Sequence, residues 1–192
     1  MGQPKLLLPW GRDPVIASVL RALARDEIAE RFVVIRPDDT ALQQAVHDLP
    51  AVALVPPVDP PTMRDSVELA LAAIEEQFSP TERDGWMLIP ADHPIVRPGV
   101  LNAMLDAWRN SSTSILVPVY PAEDQSRRRG HPTIFRWSLV SRIRSLPADC
   151  GLNRLLQDSP QDVAELPVDD ESILWDLDTP EDYDRLISIA PI

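Results

Sequence analysis

Apolar residues recur along this chain with two periods, one helical and one extended, and the two alternate. Ile16, Val19, Leu20 and Leu23 fall on one helical face within residues 15–25. The turn at Gly11 leads into that helix, with Asp13 expected at N-cap and Pro14 at N1. Phe32, Val33, Val34 and Ile35 form an unbroken apolar run, the pattern of a buried strand. A helix over 40–48 and a second short strand over 51–55 follow. The proline-rich segment 56–61 is a stiff loop, because structured pattern resumes at once in a helix over 63–78. That helix carries Val67, Leu69, Leu71 and Ile74, with Glu75 and Glu76 on its outer side. Met87, Leu88 and Ile89, between Gly85 and Pro90, predict a short buried strand covered on both faces. A helix over 99–110, with Leu101, Met104, Leu105 and Trp108 inward, and a strand over 114–119 complete the alternation.

Strand alternating with helix predicts an α/β layered domain with a mostly parallel sheet, a single domain over 1–192. Beyond it, residues 121–129 read as a charged loop ending in Arg127-Arg128-Arg129. A strand over 133–135 and a helix over 137–145 come next, then a turn at Asp149-Cys150-Gly151 and a short helix over 152–157. A late edge strand over 163–168 precedes a last helix. That helix is capped by Thr179 or Asp178, with Pro180 at N1 and Glu181 and Asp182 in its first turn.

Composition narrows the function. The net charge of −12 offers no basic surface for nucleic acid or an anionic membrane, so a polyanionic ligand must meet local positive charge in a cleft. One cysteine, Cys150, leaves no disulfide within the chain and no cysteine-based zinc site. No leader pattern occupies residues 1–10 and no stretch is long enough to span a bilayer, so a cytoplasmic setting is expected. The 21 prolines against 6 glycines stand at element ends, as turn punctuation rather than disorder.

Candidate chemistry gathers at element ends. Pro90 and Pro94 forbid the strand before them from continuing, so Asp92 sits just past a strand's carboxyl end, where open α/β sheets bind ligands. A carboxylate there, with His93 beside it, suits a divalent cation carrying phosphates; the competing role is a cap of the turn before Pro94. Asp176 and Asp178 alternate, so in an extended segment they share a face, though Asp178 is also a helix-cap candidate. Lys5 is either an ordinary exposed lysine or a point cation for phosphate. His131 is either a turn histidine or an acceptor contact, and Asp149 and Gly151 either form a plain turn or line a site. The arginines 127–129 are either solvated or supply one contact to an anionic acceptor. No convincing Ser-His-Asp or Cys-His set is present.

Five segments, in order, resemble the MobA-like nucleotidyltransferases, nearest their molybdenum cofactor cytidylyltransferase branch. They are Met1-Gly2-Gln3-Pro4-Lys5, Ile89-Pro90-Ala91-Asp92-His93-Pro94, Arg129-Gly130-His131-Pro132, Asp149-Cys150-Gly151 running to Leu155-Leu156, and Asp176-Leu177-Asp178-Thr179-Pro180-Glu181-Asp182-Tyr183. The resemblance implies a three-layer Rossmann-like nucleotidyltransferase fold of the nucleotide-diphospho-sugar transferase type. One departure is large. In the family a first strand and a Leu-Ala-Ala-Gly-x-Ser-x-Arg loop precede the Met-Gly-x-x-Lys segment, whereas Met1 already lies within that segment. The domain is therefore expected to be truncated at its N-terminus, or to have lost the loop whose N–H groups cradle the nucleotide.

The implied reaction transfers a nucleoside monophosphate, CMP from CTP ahead of GTP, to a phosphorylated pterin such as molybdopterin or to another small acceptor, releasing pyrophosphate. Such chemistry needs positioning and charge neutralisation rather than a protein nucleophile. The resemblance implies Lys5 and Asp92 as catalytic and nucleotide-binding, Asp92, Asp176 and Asp178 as ligands of Mg²⁺, and Gly130, His131, Pro132, Asp149 and Gly151 on the acceptor side. A molybdoenzyme being matured is the implied protein partner. The alternative is a cofactor-binding or chaperone-like module without nucleotide chemistry.

Overall fold

The computed structural model describes residues 4–121, 127–147 and 149–189. Two strands, β1 (Pro9–Trp10) and β2 (Asp13–Pro14), pair antiparallel around Gly11, which takes φ 65° in the tight turn between them. Helix α1 (Val15–Ala22) follows directly. Asp13 is thus not the cap of α1, as the sequence suggests. Pro14 holds the N-cap position without a side-chain bond, and the Asp13 carboxylate pairs with Arg21. The hairpin claims the backbone that a cap would have used.

β3 (Phe32–Val34) and β4 (Val52–Leu54) run parallel, joined by α2 (Thr40–His47), whose N-cap Asp39 accepts from Leu42 N–H at 3.0 Å. α3 (Met63–Phe78) opens on a capping box in which Thr62 and Asp65 satisfy each other's free N–H groups. A five-stranded sheet carries the rest: β5 (Gly85–Leu88), β6 (Ile115–Pro121), β7 (Arg127–Arg129), β8 (Thr133–Arg136) and β9 (Val163–Pro167). β8 lies antiparallel between β5 and β6, and β6 pairs antiparallel with β7 and parallel with β9. Hence β5, β6 and β9 share one direction, and the return through β7 and β8 reverses it. The fold is α/β, a mixed sheet whose main strands are parallel.

Alternate residues of the strands feed opposite cores. On one face Trp86, Ile115 and Phe135 pack with Val67 and Leu71 of α3 and with α5 (Val140–Arg144) and α6 (Asn153–Asp158). Trp86 and Phe135 are register partners and stack at 4.5 Å between ring centroids. On the other face Met104 of α4 (Pro98–Arg109) packs with Leu116, Ile134 and Ile173. Each such side chain contributes about 1.5–3 kcal/mol on burial. Val19 and Leu23 pack in one cluster with Met87 of β5, while Ile16 and Leu20 pack in another with Val33 of β3, so α1 ties the β3–β4 sheet to the five-stranded one.

Several boundaries differ from expectation for local reasons. The strand expected at 87–89 is β5, two residues earlier; Trp86 is buried and Met87 and Leu88 are half-buried. The helix expected over 137–145 begins as a 3₁₀ turn, Trp137–Leu139, before α5. Arg127–Arg129 is not the end of a loop but a strand on β6; residues 122–126 of that expected loop lie outside the described residues. The last helix, α7 (Pro180–Ile189), is capped by Thr179, whose Oγ accepts from Asp182 N–H at 3.1 Å. Asp178 is therefore free for other work.

Candidate active site

Three segments converge beyond the carboxyl end of β5. The loop after β5 turns at Pro90, where the carbonyl accepts from His93 N–H at 3.2 Å, and this sets Asp92 and His93 on either side of the turn. The segment between the 3₁₀ turn Glu171–Leu174 and α7 runs alongside, and Leu177 N–H donates to the Asp92 carbonyl at 2.8 Å. The third segment, Gly130–His131–Pro132, is the return from β7 to β8, and His131 N–H donates to the Ile173 carbonyl at 2.9 Å. Gly130 is needed there by contact: a Cβ would sit 2.3 Å from that same carbonyl oxygen.

Leu177 is fully buried, so its neighbours Asp176 and Asp178 both face the site. They do different things. Asp178 Oδ1 accepts from Lys5 Nζ at 3.1 Å, and Lys5 also bonds Asp92 Oδ2, so two carboxylates from distant segments meet on one ammonium. Burial works to lower the Lys5 pKa, but the bonds to Asp92 and Asp178 outweigh it and hold the group above its ordinary value. Asp176 instead bonds His93, with Nδ1 to Oδ1 at 3.1 Å. That bond holds the Asp176 carboxyl below its ordinary range, against the partial burial that would raise it.

His93 is 1% exposed, and its ring meets that of His131 edge to face at 5.8 Å. His131 Nδ1 is buried without a hydrogen-bond partner among the described residues. Burial pushes the His131 pKa down and His93 adds to this, while Asp176 and Asp92 pull the other way. A neutral imidazole with one unused nitrogen is what that environment favours. Pro132 is buried beside it, following a cis His131–Pro132 bond.

The remaining sequence candidates do not join this cluster. Asp149 and Gly151 are exposed in the turn before α6, and nothing lies within 4 Å of a Cβ built on Gly151. That turn leads into Leu152, Leu155 and Leu156, which pack in the core on the α3 face of the sheet. Conversely, the link from His93 to Asp176 joins residues 83 positions apart and has no counterpart in the motif segments. The signal available was two polar residues flanked by apolar ones, His93 by Pro94 and Ile95 and Asp176 by Leu177.

The donor set can be tested against a divalent cation. Asp92 and Asp178 present hard oxygen donors that converge on a single positive charge. Among the described residues no group of three or more His, Cys, Asp or Glu is arranged to hold a metal alone. Mg²⁺ commonly takes one or two carboxylates and completes its shell with water and substrate phosphates, so two convergent carboxylates fit it without a cage.

Carboxylates and a lysine thus gather past the carboxyl end of β5, the place where open α/β sheets bind ligands. Comparison with known proteins makes the class specific: the model of the MobA-like NTP transferase domain matches residues 1–164, and the chain belongs to that family. Among curated proteins, the bifunctional protein GlmU of Leifsonia xyli subsp. xyli (strain CTCB07) is 31% identical over 121 residues, which is 62% of this chain. The match spans 24% of GlmU, about a quarter of that relative's length. Among solved structures, Rv0371c from Mycobacterium tuberculosis H37Rv superposes with a TM-score of 0.76 at 26% identity, covering 98% of this chain and 90% of that one. The same protein in complex with manganese gives 0.75 at 26% identity, covering 97% and 92%. A 4-diphosphocytidyl-2C-methyl-D-erythritol synthase gives 0.78 at 18% identity, covering 96% and 94%, a likeness of fold alone.

Proposed function

We propose that this protein transfers a nucleoside monophosphate, CMP from CTP by preference, to a phosphorylated small acceptor, with release of pyrophosphate. The observation that carries the reading is the meeting of Asp92 and Asp178 on Lys5, three residues brought together from the two ends and the middle of the chain. In the reaction a phosphate oxygen of the acceptor attacks the α-phosphorus of the triphosphate. The bond from that phosphorus to the β-phosphate bridging oxygen breaks, and pyrophosphate leaves with the electron pair. Lys5 gives the triphosphate a point cation, and Asp92 and Asp178 are the residues that would hold a divalent ion, Mg²⁺ in this reading. Such an ion neutralises charge on the phosphate oxygens. Asp176, engaged by His93, orients rather than ligates. His131 and Gly130 shape the acceptor side, where a residue without a Cβ lets a neighbour approach closely.

The acceptor favoured by the sequence resemblance is a phosphorylated pterin of the molybdopterin type, with a molybdoenzyme as the downstream protein partner. Pyrophosphate release tests the reading, with each of CTP and GTP against phosphorylated pterin, sugar-phosphate and polyol-phosphate acceptors. It is measured on this chain and on one carrying the family's Leu-Ala-Ala-Gly-x-Ser-x-Arg loop upstream. Turnover with one triphosphate–acceptor pair supports it. A folded protein that binds acceptor but releases no pyrophosphate in either form supports a binding module instead.

A further inference from the structure

Three consecutive arginines sit on β7, and the pleat separates them. Arg127, Arg128 and Arg129 lie opposite Pro121, Tyr120 and Val119 of β6. Cross-strand partners share a face, and successive residues alternate. Arg127 and Arg129 therefore point with Val119 and Val117, the face on which Glu165 of β9 stands opposite Val117. The ion pairs agree with that geometry: Glu165 meets Arg127 at 3.4 Å and Arg129 at 3.0 Å.

Arg128 lies on the other face. It stands opposite Tyr120, which packs with Leu116 and Ile173. Two residues on, Gly130 has the same orientation, and a Cβ there would point into the Ile173 side chain and carbonyl. Arg128 thus projects on the face that carries Ile173, whose carbonyl anchors His131. Two residues at strand rise separate Arg128 from Gly130, about 7 Å. Among the described residues Arg128 has no carboxylate within ion-pair distance, whereas its two neighbours share Glu165.

We infer that Arg128 forms a phosphate-monoester subsite on the acceptor side of the site, reading the terminal phosphate of the acceptor; this rests on the proposed transfer reaction. In a chain of net charge −12 such a ligand must find local positive charge, and the guanidinium fork suits a phosphate bidentately. Glu165 engages both flanking arginines on the opposite face of the strand, so that Arg128 alone faces the acceptor side.

The test is titration of the full chain with ribose 5-phosphate, using ribose as the uncharged counterpart, followed by calorimetry and by NMR of the arginine side chains. The expected result is that phosphate binds at least tenfold more tightly than ribose, that Arg128→Gln removes this preference, and that Arg128→Lys restores part of it. Arg127→Gln leaves binding within about twofold of the parent. Equal binding by the parent and Arg128→Gln, equal losses in Arg127→Gln and Arg128→Gln, or no preference for the phosphate in the parent would each overturn the inference. Where transfer is measurable, Arg128→Gln raises the KM for the acceptor and leaves the KM for CTP and kcat unchanged. Phosphate binding through Arg128 in a protein that transfers nothing would retain the subsite and remove the proposed reaction.

Discussion

His93 Nδ1 lies 3.1 Å from Asp176 Oδ1, two residues separated by 83 positions of sequence. The histidine is shut away from water and the aspartate is 42% exposed, so the pair links the core to the mouth of the site. With the Leu177–Asp92 backbone bond beside it, the pair fixes the segment that also presents Asp178. Replacing His93 by Ala removes that link and leaves a cavity. The expected cost is about 1–3 kcal/mol in unfolding free energy, together with a fall in kcat. His93→Gln keeps a donor near Asp176 and recovers part of both. Denaturant unfolding and kinetics on the same samples check this, and equal behaviour of the two variants would show that the bond has no positioning role.

Asp92 and Asp178 are expected to act as one unit. Each of Asp92→Asn and Asp178→Asn should lower kcat by about 10²–10³-fold, the scale seen when one charge-stabilising group is removed. The double variant should cost far less than the product of the two, because both serve the same cation. Titration of Mn²⁺ followed by paramagnetic relaxation gives an independent reading: each single variant weakens binding while the far-ultraviolet spectrum is unchanged.

Gly130 and Gly151 come from two similar-looking turns and should respond oppositely. Gly130→Ala drives a methyl group into the Ile173 carbonyl at 2.3 Å, and should destabilise by about 1–3 kcal/mol. Gly151→Ala meets open space and should be close to neutral or slightly stabilising. Thermal unfolding midpoints of the two variants decide the matter.

The contrast between those glycines shows what was legible in the chain. Short-range pattern placed the helices and most strands, because burial with a 2- or 3.6-residue period is written locally. The α3 helix, for example, spans Met63–Phe78 in both the pattern and the structure. The hairpin of β1 and β2 escaped because Asp13-Pro14 also spells a helix start, and pairing with Pro9-Trp10 decided between the two. Arg127–Arg129 escaped because a charged run carries no strand signal, and its place is set by β6. In the structure Lys5 meets Asp92 and Asp178, the His131 ring meets His93, and Gly130 lies against Ile173. Asp149 and Gly151 do not join them, since matching spacing in a loop says nothing about which layer the loop faces. The His93–Asp176 bond is a contact across the chain, and no single-residue pattern encodes it.

The pKa of His131 lies below its ordinary value of 6.5, chiefly through burial. Between that depressed value and 6.5 the unfolded chain binds a proton that the folded chain does not, so stability rises with pH across this window and falls as acid is added. Asp176 acts lower on the scale: its depressed pKa contributes stability above the ordinary 3.8, which is lost as pH falls through the folded value. Unfolding midpoints of the parent and His131→Asn across the upper window should diverge. The variant shows the flatter dependence, and parallel curves would contradict the assignment.

The most direct test of the account is pyrophosphate release from CTP with a phosphorylated pterin acceptor and Mg²⁺, comparing the parent protein with Asp178→Asn. The account predicts metal-dependent release by the parent and its loss, by about 10²-fold or more, in the variant. Release that is unchanged by Asp178→Asn would contradict the claim that Lys5, Asp92 and Asp178 form the reacting centre.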